Sequence, residues 1–212
     1  MAETAPGEGP ATRRRWPLVV VIAVVLLIVL WLAVCHAVLD DPRVERPGAS
    51  DAVLVLGPPD PTRVEYAQDL VYNQHIAKTL VISVPDAEAY DSPETVAYYE
   101  ARSFCNEHDG VEVICFKPDP STTQGEAIEL RSLAQERGWD TVTAVTFTQH
   151  VSRSRLILSR CYTGELRMAS VDFHLTGTSL LMQYVHQSAG FVKAWLTPGC
   201  DQQLPGNPKS SS

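Results

Sequence analysis

The stretch TVTAVTFTQHVSRSR, residues 141–155, joins an apolar run to a polar turn and the start of a helical pattern. Its first seven residues are β-branched, small or aromatic, which is typical of a buried strand. Thr148 can cap the helix that follows, so that His150 and Arg153 share one face of its first turn. Because unpaired N–H groups at a helix N-terminus favour an anion, we predict a ligand site here. The alternative is that both side chains are solvated on a surface helix.

The same kind of composition recurs along the chain and predicts five strands. Most are continuous apolar runs with helical patterns between them, which is typical of parallel strands covered on both faces and joined by right-handed crossovers. We therefore predict a three-layer α/β sandwich with a mostly parallel five-stranded sheet. The predicted strands are residues 51–56, 79–84, 111–116, 141–147 and 165–171.

Local signals mark where the helices begin. Asp60 and Ser92 are each followed by proline, which suits a cap residue and the first helical position. Thr123 and Glu126 have the spacing of a capping box. The last helix is predicted at about residues 178–196, with a face at helical spacing that we expect to cover the sheet. That face comprises Leu181, Val185, Ser188, Val192 and Trp195.

Residues 17–39 contain no Asp, Glu, Lys or Arg. As a helix this segment would rise about 34 Å, enough to cross the hydrocarbon core of a bilayer. Three arginines, residues 13–15, precede it, and Asp40 and Asp41 follow it. The positive-inside rule therefore predicts a plasma-membrane signal anchor with a cytoplasmic N-terminus and an extracytoplasmic C-terminal part. A cleaved signal peptide is the alternative.

The anchor divides the chain into segments. We predict a disordered cytoplasmic tail at residues 1–16, the span at 17–39, a linker at 40–50, one α/β domain at 51–197 and a C-terminal tail at 198–212. The net charge of −8 excludes a typical nucleic-acid binder. The sequence also lacks the GxSxG, HExxH, GxGxxG and Walker patterns. This excludes the common hydrolase and nucleotide-binding sites that are built on these motifs.

Four cysteines follow the predicted span, an even number without a CxxC motif. In an oxidising compartment disulfides are the expected state, and free buried thiols are the alternative. Of the three pairings we favour Cys105 with Cys115, joining a helix end to the strand it feeds, and Cys161 with Cys200, fixing the C-terminal tail. Asp172 and His174 alternate on an extended segment, but no third ligand is evident, so we predict no metal site.

Polar residues follow each of the first four predicted strands. The carboxyl ends of parallel strands lie at one edge of the sheet, so we expect these side chains to converge on one crevice. Two guanidinium groups beside helix N-termini suit a phosphate, pyrophosphate or carboxylate. Individually, each residue also has a structural explanation as a solvated residue, a helix cap or a strand end. The candidates are Arg63, Ser83, Thr123, Glu126, His150 and Arg153.

The order of the motifs DAVLVLG, TLVIS, STTQGEA and VTFTQHVSRSR, with Arg63 after the first, resembles the SanA/ElyC/YdcF-like family. The resemblance covers residues 51 to about 195. It implies a Rossmann-like fold and a single-span protein of the cell envelope, linked to wall integrity or glycan assembly, without an established reaction. It also implies that the six candidates above are the site residues.

The sequence departs from the family pattern in two loops and one helix. Prolines stand at positions 58, 59 and 85, where the family often has glycines; proline removes N–H donors and stiffens a loop. Gln187 stands where an acidic residue is expected. A shifted ligand or a lost activity would follow from these changes.

We therefore predict a membrane-anchored protein of envelope maintenance that acts on a phosphate-bearing or lipid-linked precursor. As an enzyme it would use His150 as general acid/base, because imidazole titrates near neutrality, with Arg63 and Arg153 stabilising negative charge. Ser83 or Thr123 would orient the substrate. No cofactor is predicted, since no glycine-rich loop is present to hold S-adenosylmethionine. The alternative is a non-catalytic scaffold that recruits cell-wall synthesis proteins.

Overall fold

The computed structural model of the chain describes residues 16–85, 103–106, 110–173 and 175–200. The chain divides into two compact units, residues 1–34 and 35–212. The apolar helix α1 (Trp16–Cys35) begins in the first unit and ends at Cys35, the first residue of the second unit. With the π-helical turn His36–Asp40 it forms a 25-residue apolar segment that is long enough to cross a membrane.

The second unit contains five strands and four α-helices among its described residues. All five predicted strands are confirmed, with small differences at their ends. The strands are β1 (Ala52–Val55), β2 (Thr79–Ser83), β3 (Glu112–Phe116), β4 (Thr141–Phe147) and β5 (Glu165–Val171). The helices are α2 (Pro61–Gln68), which continues as the π-helical turn Asp69–Asn73, then α3 (Thr123–Arg137), α4 (Val151–Cys161) and α5 (Gly177–Leu196). Short 3₁₀ helices lie at Ser103–Cys105 and Thr148–His150.

The sheet has the order β3-β2-β1-β4-β5, and every pairing is parallel. Val55 lies between Ile82 of β2 and Val145 of β4. The chain first adds strands on one side of β1 and then, from β4 onward, on the other side. The predicted Rossmann-like α/β sandwich is therefore confirmed, and a topological switch point lies between the carboxyl ends of β1 and β4, where such sheets bind ligands.

Hydrophobic clusters lie on both faces of the sheet. Leu54 of β1 packs with Leu130 of α3 and Leu158 of α4 on one face, whereas its neighbours Val53 and Val55 pack toward α2 on the other. Successive residues of a strand point to opposite faces, so a continuous apolar run serves both clusters. This arrangement makes the middle layer of the sandwich the most buried part of the unit.

Residues 40–50 are not a free linker. The Asp40 carboxylate accepts hydrogen bonds from the Tyr184 hydroxyl and the Gln149 side-chain amide, and Glu45 exchanges two hydrogen bonds with Met168 of the edge strand β5. Leu39, at the predicted end of the span, is 2% exposed within the second unit. The absence of charged residues identifies residues 17–39 correctly as apolar. It does not show whether an individual residue, such as Leu39, lies in lipid or in the protein core.

The helix starts differ from prediction in two places. Asp60 caps α2 as expected, accepting from the Arg63 N–H at 3.1 Å. The α3 N-cap is Thr122, without a side-chain bond, so the capping box of Thr123 and Glu126 does not form. Thr148 opens a 3₁₀ turn, and its hydroxyl donates to the Val171 carbonyl instead of capping α4. Ser92 lies outside the described residues.

Both favoured disulfides are present. Cys105 and Cys115 have their Sγ atoms 1.95 Å apart, and Cys161 and Cys200 have theirs 2.09 Å apart. Cys35 is free and buried. The two bridges agree with folding in an oxidising compartment.

Candidate functional site

A cavity of about 410 Å³ lies at the carboxyl ends of β1 and β4. Its walls come from the loop after β1, the first turn of α3, the start of α4 and one side of α5. A parallel sheet places its ligand site at this switch point because the flanking loops diverge there. The sequence therefore predicted the position of the cavity correctly.

Four of the six candidate residues line this cavity: Thr123, Glu126, His150 and Arg153. The other two candidates, Arg63 and Ser83, are not in its wall. Ser83 is 0% exposed, and its hydroxyl lies behind Gly57, where a Cβ built on the glycine would come within 3.0 Å of Ser83 Oγ.

Arg63 shapes the loop after β1. Its Nη1 donates to the Leu56 carbonyl at 3.0 Å, its Nη2 donates to the Pro58 carbonyl, and its Nε donates to the Asp60 carboxylate. The guanidinium also lies over the Phe147 ring, 5.7 Å from its centroid. These partners occupy a side chain that is only 5% exposed, so the geometry adds no support to the predicted anion-binding role of Arg63, which stays a prediction. Arg63 is a positioning residue for the cavity wall.

Glu126 is the most constrained carboxylate of the site. It is 2% exposed, and its Oε1 accepts the Gly57 N–H at 2.5 Å. Its Oε2 has no hydrogen-bond partner among the described residues, although Ser83 is near enough to favour the charged form. Burial raises the pKa of Glu126, against the opposing effects of Ser83, the Gly57 N–H, Arg63 and Arg153. When protonated, the Glu126 carboxyl can donate one hydrogen bond.

His150 lies between two threonine hydroxyls. Its Nδ1 is 3.0 Å from Thr146 Oγ1, and its Nε2 is 3.4 Å from Thr123 Oγ1. Its ring stacks on Phe147 with centroids 5.2 Å apart. Burial, followed by the charges of Arg153 and Arg63, lowers the pKa of His150 well below 6.5. The expectation that it titrates near neutrality is therefore wrong, and at neutral pH it is an uncharged proton acceptor.

Arg153 is fixed at one end and open at the other. Its Nε donates to Gln187 Oε1 at 2.7 Å, and its Nη atoms have no hydrogen-bond partner in the described part of the chain. Gly190 makes room for it, since a Cβ built there would lie 2.7 Å from Arg153 Cδ. Burial lowers the pKa of Arg153, and Glu126 opposes this effect. The guanidinium remains charged and presents free donors to the cavity.

The charges of the wall favour an anion. Among the described residues that line the cavity, Glu126 is the only carboxylate, whereas three side chains are cationic: Arg153, Arg160 and Lys193. The first turn of α3 also forms part of the wall, and the N–H groups there lack partners within the helix. Pro58 and Pro85 also line the cavity and carry no N–H, so the wall offers donors mainly from α3 and α4.

Several wall residues carried no sequence signal. Gln187 was noted only as a departure from the family pattern, yet it is 0% exposed and holds Arg153 in place. His186 and Lys193 also line the cavity. They lie on α5, far along the chain from the other site residues, and helical spacing alone does not indicate which side of that helix meets the sheet. The one sequence feature that indicated a role for this helix was Gln187, which stands where the family pattern has an acidic residue.

Gln187→Glu is expected to weaken anion binding roughly tenfold to 100-fold, or about 1.4 to 2.7 kcal/mol. The introduced carboxylate would pair with Arg153 and offset the positive charge that the glutamine leaves uncompensated. Calorimetric titration with a phosphate-bearing ligand checks this effect. Gln135→Glu, which makes the same charge change on an exposed position of α3, should bind like the native chain. Unchanged affinity in Gln187→Glu would contradict the role of Arg153.

Glu126→Gln is expected to raise the midpoint temperature of unfolding by a few degrees at pH 8, since 1 kcal/mol corresponds to roughly 2–4 °C in a protein of this size. The folded pKa of Glu126 is raised, so its protonation stabilises the fold fully below the unfolded value of about 4.5, and this stabilisation is lost as pH rises through the folded pKa. The difference from the native chain should therefore vanish below pH 4.5. Thermal unfolding across pH checks this, with the exposed Glu136→Gln on the same helix as control. A destabilised variant at pH 8 would show that Glu126 is held there as a needed anion.

No group of metal-ligating side chains occurs among the residues that the structure describes. His174, which was considered with Asp172 as a ligand pair, lies outside them.

Comparisons with protein-family models, with curated proteins and with solved structures each found no match. The resemblance to the SanA/ElyC/YdcF-like family therefore stays a prediction that rests on its motifs. The fold and the cavity define an α/β protein with a Rossmann-like sheet and an anion-compatible cavity at the switch point.

Proposed function

We propose that the chain is a single-pass membrane protein of the cell envelope whose α/β domain binds a phosphate-bearing or lipid-linked anionic ligand. The observation that carries this proposal is Arg153, whose Nη donors are open to a cavity with one carboxylate among its described lining residues. Such a guanidinium binds phosphate oxygens through paired, charge-assisted hydrogen bonds. The order of sequence motifs adds the expectation of a role in cell-wall maintenance.

The proposed location rests on the N-terminal segment and on the cysteines. The apolar segment Trp16–Asp40 has the length of a bilayer span, and the arginines at residues 13–15 favour a cytoplasmic N-terminus. Two disulfides in the second unit agree with an extracytoplasmic compartment. The α/β domain would then lie outside the plasma membrane, close to lipid-linked precursors of the wall.

The site residues suggest how such a ligand is held. Arg153 and the N-terminus of α3 would contact phosphate oxygens, and Glu126, whose Oε1 accepts the Gly57 N–H, would hold the loop after β1 beside them. His150, uncharged at neutral pH, would accept a proton from Thr123 or from a ligand hydroxyl. In a reaction His150 would therefore act as a general base and Arg153 would stabilise developing negative charge.

A non-catalytic binding or scaffold protein is the second candidate, and one observation favours it. Pro58 and Pro85 line the cavity, so this side of the wall offers fewer N–H donors for a transition state than a glycine-rich loop would. Ligand capture would survive this loss because Arg153 and the first turn of α3 supply their own donors to the cavity.

Titration of the full-length chain in lipid nanodiscs tests the proposal. The panel consists of phosphorylated sugars, polyprenyl phosphate analogues and S-adenosylmethionine. The last of these contains no phosphate and serves as the comparison compound. Binding confined to the phosphorylated compounds supports the anion site, and chemical change of a bound compound separates an enzyme from a scaffold. Failure of the folded chain to bind any phosphorylated compound would contradict the proposal.

A further inference from the structure

The final helix α5 presents an apolar face to solvent. Leu181, Val185, Val192 and Trp195, which we expected to cover the sheet, are 47%, 51%, 62% and 75% exposed. Met182 and Leu196 extend the same face, with exposures of 66% and 72%. The helix instead turns Tyr184, Gln187 and Ala194 toward the protein. We call these six exposed side chains the α5 apolar face.

This face is too continuous to be scattered surface residues. At 100° per residue its members fall within one broad stripe along a helix that is about 30 Å long. Contiguous apolar patches of this kind mark interaction sites in folded proteins. The C-terminal segment, residues 201–212, is a poor occupant because it contains a single large apolar residue, Leu204.

The point where the apolar N-terminal segment joins the second unit lies at this face. Cys35 Sγ is 3.7 Å from Ser188 Oγ, and Ser188 lies on α5 between Val185 and Val192. The next turn is fixed as well, because Asp40 accepts a hydrogen bond from Tyr184 of α5. If the segment that ends here crosses a bilayer, the chain leaves the bilayer beside the α5 apolar face.

The rest of the helix suits a lipid interface. Between Gly177 and Leu196 there is no Asp or Glu, and the exposed cation Lys193 and His186 border the apolar face on one side. Helices that lie in the membrane interface combine an apolar face carrying Trp and Leu with basic residues along its border. A tryptophan near the helix end also suits the headgroup level, where its ring is amphipathic.

We propose that α5 docks on the outer surface of the bilayer through its apolar face. This inference rests on the proposed membrane anchoring and gives the candidate site its ligand source. His186 and Lys193 both border the face and line the cavity, so docking places the mouth of the cavity beside the phosphate level of the lipid. The ligand then reaches Arg153 from the membrane surface, which favours a lipid-linked phosphate over a free one.

The test uses the full chain in vesicles of phosphatidylcholine and phosphatidylglycerol. Of its four tryptophans, Trp16 and Trp31 lie in α1, so Trp16→Phe with Trp31→Phe leaves Trp139 and Trp195 as reporters. In vesicles with brominated acyl chains we expect Trp195 emission to fall by about twofold or more relative to unbrominated vesicles, as for an interfacial side chain. Adding Trp195→Phe, a change at an exposed position, should remove this effect.

Each of the remaining outcomes contradicts the proposed docking and has its own experimental signature. A chain that floats with the vesicles but whose Trp195 is quenched by aqueous iodide keeps its face in water. A Trp195 protected from both iodide and brominated lipid is covered by protein, such as a second copy of the chain. A chain that does not float overturns the anchoring and the docking together. Anion titration on the same samples shows separately whether the cavity binds phosphate.

Discussion

Arg153→Gln is expected to weaken binding of a phosphate-bearing ligand by about 100-fold or more, which corresponds to about 2.7 kcal/mol. The substitution removes both free Nη groups of Arg153 and the positive charge that its guanidinium contributes to the cavity wall. Arg153→Lys should lose less, about tenfold, because the charge stays while the planar pair of donors is lost. Calorimetric titration of the full-length chain in nanodiscs checks both values.

Arg155→Gln provides the matched control on the same helix. Arg155 pairs with Glu45 at 2.7 Å and is not part of the cavity wall, so its loss changes the net charge equally without changing the site. We expect native affinity in this variant. Equal weakening by both substitutions would mean that overall charge controls binding, and no weakening by Arg153→Gln would exclude Arg153 as a ligand-binding residue.

Replacing Cys161 and Cys200 together by serine is expected to cost about 4 kcal/mol of unfolding free energy. Their bridge closes a sequence separation of 39 residues and ties the end of α4 to the segment after α5. That segment also contributes to the cavity wall, and the Gln124 side chain donates to the Cys200 carbonyl at 3.2 Å. Unfolding by urea in micelles, followed through Trp139, which is partly buried and packs against the core, measures the loss.

The second bridge is the comparison for this prediction. Cys105 and Cys115 are separated by 10 residues, so removing them by the same double replacement should cost less, about 2.7 kcal/mol. Loop-closure entropy of the unfolded chain sets this order. A larger loss from the shorter loop would show that the stabilisation comes from local contacts and not from chain entropy.

The strands and the edge at which the cavity lies were predictable because they depend on local composition and on a general property of parallel sheets. Residues such as Val53, Leu54 and Val55 indicate a strand covered on both faces whatever its neighbours are. The carboxyl ends of such strands meet at one edge, which brought Thr123, Glu126, His150 and Arg153 together.

The departures from expectation concern side chains whose partners are distant in sequence. Thr123 and Glu126 have the spacing of a capping box, but His150 and the Gly57 N–H, 27 and 69 residues away, compete for them. Arg63 looked available because the carbonyls that it binds belong to a loop whose shape the sequence does not specify. The apolar face of α5 was assigned to the core because periodicity identifies a stripe without saying what covers it.

The central claim is that an anion binds in the cavity at Arg153, and the most direct measurement is to locate one. Crystals of the chain soaked with tungstate, a phosphate analogue with a strong anomalous signal, show the position of the bound anion. We expect an anomalous peak within hydrogen-bond distance of the Arg153 Nη atoms, beside the first turn of α3. Tungstate bound only elsewhere on the protein, with an empty cavity, would contradict the anion site.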